Sequence, residues 1–266
     1  MNSAPIGIFD SGIGGLTVAR AIYERLPAES TIYFGDTTRV PYGPKSPETV
    51  TRYSLEILHW LLEQRVKAVV VACNTSTAHA LRTLQQATPV PVLGVIKPGA
   101  RAAIAAGSGG PVGVIGTAGT IASDAYKRAL QALAPGLTVV QRACPLFVPL
   151  VEEGWFDHPA AELIAVDYLR SLREACVRSL VLGCTHYPLL KPLLERVMGP
   201  EVRLIDSGQA SAAALETILA EKALNAPAQS KAQHRFVVSD DEARFRQVGA
   251  RFIGERLGHA EVISLG

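Results

Sequence analysis

Cysteine is scarce in this sequence, and the scarcity is informative. Four cysteines in 266 residues, Cys73, Cys144, Cys176 and Cys184, are too few and too scattered for a secreted disulfide framework. They read as free thiols in a reducing compartment. An excess of one charge is also missing: 26 Lys plus Arg stand against 24 Asp plus Glu, with no polybasic run to grip nucleic acid or a membrane surface. Long hydrophobic runs are absent, since stretches such as KAVVVAC fall far short of the roughly 20 residues of a membrane span. The opening MNSAPIGIFDSG has no positive segment followed by a long apolar one, so a cytoplasmic protein is expected.

What the chain does have is rhythm. PIGIF, TIYFGD, KAVVVAC, VPVLGVI, PVGVIG, LTVVQR, SLVLGC, VRLID, HRFVVS and EVISLG alternate with helix-like segments, the pattern of parallel sheets with helical crossovers. In SPETVTRYSLEILHWLLEQ, Ser46 is placed to cap a helix that has Pro47 in its first turn. Val50, Tyr53, Ile57, Leu58 and Leu61 share one face of it. The sequence also repeats itself: PIGIFDSGIGG at 5–15 parallels PVGVIGTAGT at 111–120, and VVVACNTSTAHAL at 69–81 parallels SLVLGCTHYPLL at 179–190. Two related halves are predicted, with Gly-Ser-Gly-Gly at 107–110 as the best internal break and a second crossing near 205–211. NAPAQSKAQ at 225–233 reads as an exposed loop, after which the chain returns to the first half.

The repeat places Cys73 and Cys184 at matching strand ends, each followed by polar helix-start residues. A thiol beside a helix N-terminus can have its pKa lowered from about 8.5 toward neutrality and act as a base. Two such thiols on opposite sides of one substrate suit the inversion of a stereocentre, one removing a proton while the other delivers one to the far face. Asn74 and Thr75 after Cys73, and Thr185 and His186 after Cys184, supply donors for carboxylates and developing charge. Asp10 and Ser11 could orient a thiol or receive an ammonium group. Tyr42 and Gly43, in PYGPKSPE, belong first to a tight turn and second to a binding loop. Cys144 and Cys176 lack polar followers and are assigned to packing. His59 and His79 lie inside helical runs and are assigned structural roles. Glu152, in LVEEGW, reads from the residues alone as a solvated charge.

Taken together, GIFDSGIGGLTV, GDTTRVPYGPKS, VVACNTSTAHAL, GVIKPGA, CPLFVPLVEEGW and VLGCTHYPLL resemble the bacterial glutamate racemases, in chain order and over nearly the full length. The resemblance implies interconversion of L- and D-glutamate without cofactor or metal, supplying D-glutamate for peptidoglycan, by a protein that commonly forms homodimers. It implies an α/β fold of two pseudo-twofold-related domains, each a mostly parallel sheet flanked by helices, here 1–97 plus 207–266 and 98–206, with the site in the cleft between them. Cys73 and Cys184 would be the acid/bases. Asp10 would assist Cys73, while Glu152 and His186 would assist Cys184. Substrate contacts would come from Asp10, Ser11, Tyr42, Gly43, Asn74, Thr75, Thr117, Thr120, Thr185 and His186.

Other readings lead elsewhere. The same fold could take aspartate or another acidic amino acid. A dinucleotide-binding oxidoreductase is suggested by IGIF, SGIGGLT and Asp36, but Thr17 stands where the third glycine of the fingerprint is due. A thiolate metal site at Cys73, Cys184 and His186 would have only one local ligand pair, Cys-x-His. A binding module that has kept the fold would have no need of the paired cysteines.

Overall fold

Among the described residues the β-branched runs form ten strands, all paired in parallel. The computed structural model describes residues 2–107 and 109–265, without the side chain of Glu255. Ser108, in the expected 107–110 break, and Gly266, at the end of EVISLG, lie outside the described residues. One sheet contains β1 (Ile6–Asp10), β2 (Thr31–Gly35), β3 (Ala68–Val71), β4 (Val92–Gly94) and two late strands. The other contains β5 (Val112–Gly116), β6 (Val139–Ala143), β7 (Ser179–Gly183) and β8 (Arg203–Asp206). The chain then returns to the first sheet with β9 (His234–Val238) and β10 (Ala260–Val262), so its strand order is β10-β9-β2-β1-β3-β4. The second sheet is ordered β6-β5-β7-β8, the same winding as β2-β1-β3-β4. The sequence repeat is therefore a repeat of topology. The last strand ends at Val262 and is shorter than EVISLG suggests.

Strands buried on both faces need apolar residues at successive positions, with alternate side chains feeding different layers. In β3, Ala68 and Val70 enter one cluster while Val69 and Val71 enter another. The first of these clusters is continuous from Ile6 and Ile8 of β1 to Leu180 and Leu182 of β7, so the two sheets share a core. Val181 points the other way, into a third cluster with Val112, Val114 and Tyr126.

The Pro47–Glu63 helix starts as its sequence requires: the Ser46 hydroxyl accepts from the Thr49 N–H at 3.3 Å, and Pro47 follows in the first turn. Val50, Ile57, Leu58 and Leu61 are buried beneath it, with Tyr53 half-buried. The Ile96–Ala105 helix runs through position 97 and packs on the helices Ala125–Leu133 and Ser207–Glu221. The Ser207–Glu221 helix also packs on the Leu16–Arg25 helix, linking the halves.

Cys144 is buried, as assigned, but Cys176 is not. It is exposed in a left-handed turn, φ +50°, between a helix and β7, where the chain reverses and the side chain cannot reach the core. His59 likewise points outward from its helix, and His79 is half-buried.

Candidate active site

Every residue assigned to the site lies at the C-terminal end of a strand or in the connection that follows it. In parallel α/β sheets this edge carries ligand sites, because helix N-termini and unpaired backbone donors collect there. Asp10 and Ser11 end and follow β1, Cys73, Asn74 and Thr75 follow β3, Thr117 and Thr120 follow β5, and Cys184, Thr185 and His186 follow β7. Tyr42 and Gly43 lie in the connection after β2. Glu152 lies in the last turn of the Phe147–Glu153 helix.

Cys73 caps the Asn74–Ala87 helix with its own sulfur, which accepts from the Ser76 N–H at 3.4 Å. The thiol donates to the Ser11 hydroxyl at 3.6 Å. The residue is only 5% exposed. Here the helix-start argument is outweighed: burial, with the Asp10 carboxylate second, pushes the Cys73 thiol up to about 11 instead of toward neutrality. Burial also raises Asp10. His186, the Gly15 and Gly12 N–H groups and the Thr185 hydroxyl act in the opposite direction.

On the other side, Cys184 Sγ lies 3.9 Å from His186 Nδ1, and His186 Nε2 lies 3.1 Å from Glu152 Oε1. Burial disfavours a charged imidazole, yet contacts with Cys184 and Glu152 prevail and raise His186 to about 10. Glu152 is held below the usual carboxylate range: burial opposes its charge, but His186 and then Arg244 overcome that penalty. The charge that the sequence alone reads as solvated is thus the end of a Cys184–His186–Glu152 chain.

The halves meet through these same groups. The Thr185 hydroxyl donates to Asp10 Oδ1 at 3.5 Å, and the Thr17 hydroxyl donates to the Thr185 carbonyl at 3.0 Å. Thr75 Oγ1 is 2.9 Å from Thr117 Oγ1 and 3.3 Å from Thr120 Oγ1, and Thr117 caps the Ala118–Ala122 helix through the Thr120 N–H. The Gly119 N–H donates to the Gly43 carbonyl at 2.9 Å. A Cβ on Gly14 would lie 2.3 Å from Thr185 Oγ1 and 2.4 Å from His186 Nδ1, so only glycine allows this approach.

Three supporting residues were not evident in the sequence. The Tyr126 hydroxyl donates to Asn74 Oδ1 at 2.7 Å, leaving Asn74 Nδ2 buried without a hydrogen-bond partner. Asp36 accepts from Tyr42, Arg39 and Ser239. The Tyr42 hydroxyl is therefore turned to Asp36, and the loop meets the second half through Gly43. Asp36 is fully buried in these contacts, which removes the ribose acceptor that a dinucleotide site would require. Arg244 is the third. No group of three or more His, Cys, Asp or Glu among the described residues is arranged to hold a metal ion.

The Asp/Glu/hydantoin racemase family matches this sequence over residues 6–215. The chain belongs to that family. As a member it is an isomerase of the racemase class. The glutamate racemase of Geobacter metallireducens is 56% identical over 260 residues, covering 98% of this chain and 96% of that protein. Among solved structures, glutamate racemase from Bacillus anthracis superposes with a TM-score of 0.93 at 40% identity, covering 99% of this chain and 98% of that one. The Francisella tularensis glutamate racemase, solved in complex with D-glutamate, superposes at 0.92 with 37% identity, covering 100% and 99%. The family's fold of two parallel sheets flanked by helices is the one described above.

Proposed function

We propose that this chain is a cofactor-independent glutamate racemase that uses Cys73 and Cys184 as its two acid/bases. The observation that carries the reading is the placement of two buried thiols at equivalent strand ends of a repeated fold, joined through Asp10 and Thr185. Relatives bearing that activity by name, along nearly the whole chain, support the choice of glutamate.

In one direction a Cys73 thiolate takes the α-proton, the electron pair passes to the α-carbon, and the Cys184 thiol protonates the opposite face. Cys73 ends as thiol and Cys184 as thiolate, and the reverse reaction exchanges their roles. The high pKa of Cys73 is part of the arrangement. A substrate ammonium group beside Asp10 offsets the carboxylate charge that disfavours the thiolate, so the base is released when substrate is in place. His186, whose protonated form is favoured by Cys184 and Glu152, exchanges protons with Cys184. Asn74, Thr75, Thr117, Thr120, Thr185 and the Gly43 backbone hold the substrate carboxylates. Each tenfold in rate requires about 1.4 kcal/mol of transition-state stabilisation. A site whose cysteines are 5% and 6% exposed keeps water away from the weakly acidic α-carbon. Access to it requires the two domains, 1–97 plus 207–266 and 98–206, to part.

The product supplies peptidoglycan synthesis in the cytoplasm, and the chain acts as a homodimer. Among the described residues no helix is long and apolar enough to cross a membrane. Leu163 and Val166, a turn apart and exposed on the Pro159–Glu174 helix, offer an apolar stripe to a second copy. The deciding experiment incubates purified protein with L-glutamate in deuterium oxide without added cofactor. Optical rotation falling to zero with deuterium at the α-carbon supports the proposal. Absence of both rejects it, and aspartate in a parallel tube measures selectivity.

A further inference from the structure

The Glu242–Ile253 helix follows β9 and belongs to the first sheet, with Phe245, Val248 and Phe252 buried and its body against the Leu16–Arg25 helix. Its outward side faces the Phe147–Glu153 helix of the other half. There Arg244 Nη2 lies 3.5 Å from Glu152 Oε2 and 3.6 Å from Glu153 Oε1. Arg251 Nη1 reaches the carbonyls of Val151, at 3.4 Å, and Glu152. Phe252 sets the edge of its contact at 89° to the His186 ring, with centroids 5.6 Å apart. The two oxygens of Glu152 thus have different partners: Oε1 faces His186, and Oε2 faces Arg244.

We infer that Arg244 is a positioning residue for the Cys184 side of the reaction, anchoring Glu152 Oε2 so that Oε1 stays aligned with His186. The inference rests on the racemase reading and adds to it a residue from the opposite half. An Arg–Glu pair whose guanidinium is half-exposed contributes little to stability. Holding the orienting partner of a proton carrier is a different task, because a carboxylate free to rotate would leave the imidazole without a fixed direction. The charged neighbours of Glu152 are His186, Arg244 and the Arg251 guanidinium, which lies against Gly154. Glu153 shares Arg244, and Cys184 and Asp10 lie beyond His186. Arg244 favours the ionised carboxylate, so its loss makes Glu152 protonate at higher pH.

The test compares wild type, Arg244→Ala, Arg244→Lys, Glu152→Gln and the double variant Arg244→Ala/Glu152→Gln by polarimetry from pH 5 to 10, with thermal midpoints measured in parallel. Arg244→Ala is expected to lower kcat roughly tenfold and to move the acid limb of kcat/KM to higher pH, while Arg244→Lys restores most of both. In the Glu152→Gln background, removing Arg244 should change neither quantity further. A lower thermal midpoint with kcat and the acid limb unchanged would make Arg244 a strut between the halves and overturn the inference. So would an Arg244 effect of equal size in the Glu152→Gln background. An inactive wild type would reject the racemase reading and this inference together, whereas an active wild type with a silent Arg244→Ala removes only the role of Arg244.

Discussion

Thr185 and Asp10, 175 positions apart, lie within hydrogen-bond reach at 3.5 Å, placing the carboxylate that ends β1 against the residue that follows Cys184. This contact brings the surroundings of one thiol into those of the other. Gly14 makes it possible, and gives the first test. Gly14→Ala drives a methyl group into Thr185 and His186. The expected cost is about 1–3 kcal/mol of stability together with a fall in kcat, checked by denaturant unfolding and polarimetry. A variant with unchanged kcat would show that the two halves need not approach this closely.

Replacing Cys73 or Cys184 with Ser keeps the shape and weakens the acid/base. Each single variant should lose on the order of 10²–10⁴ in kcat in both directions, because every turnover uses both thiols. Each should also keep the wild-type circular dichroism spectrum. Near-normal racemisation by either variant would show that its sulfur does not handle the α-proton. Chelator treatment of the wild type should leave the rate unchanged.

The His186–Glu152 pair gives stability opposite dependences at its two ends. His186 rises from 6.5 to about 10 on folding, so its contribution is complete below pH 6.5 and is lost as pH climbs through about 10. Glu152 is lowered from 4.5, so its contribution is present above that pH and disappears as pH falls through the depressed value. The thermal midpoint of wild type minus that of His186→Asn should therefore shrink steadily from pH 6.5 to 10. Differential scanning calorimetry over that range checks it, and a constant difference would contradict the assigned pairing.

Tyr126→Phe removes the hydroxyl that donates to Asn74 Oδ1. With Asn74 Nδ2 already without a partner, the amide loses its remaining anchor, costing about 1–3 kcal/mol. Thermal melting should show the loss, and KM for glutamate should rise more than kcat falls, since Asn74 is assigned to substrate binding. A variant with wild-type melting and KM would mean that Asn74 is fixed by other contacts.

The inner strands were legible because parallel strands buried on both faces demand unbroken apolar runs, and the glycine- and threonine-rich ends marked the edge where the site lies; the partly exposed β6, β8 and β10 were legible through their place in the alternation with helices. The cysteine pair was legible because the fold repeats and the residues at matching strand ends repeat with it. Arg244 and Tyr126 were not, because each acts through a side chain brought from a distant segment; Asp36 was legible only as a ribose acceptor, since its position at a strand end does not reveal that Arg39 and Tyr42 turn back onto it. Glu152 was visible only through resemblance, since a carboxylate at a helix end looks the same in sequence whether it faces water or a histidine. The Cys73 pKa was misjudged from position alone: the helix start was correctly read, but burial beside Asp10 depends on how the two sheets close.

The interrupted order of the first sheet has a consequence for biosynthesis. The strands from Val112 to Asp206 are contiguous and can complete their sheet as they leave the ribosome. The sheet begun at Ile6 must wait with the β2 edge uncovered until β9 arrives, more than a hundred residues after β4. During that interval the nascent chain carries a finished lobe beside an open one, and the open edge is where a chaperone, or an aggregate, would take hold.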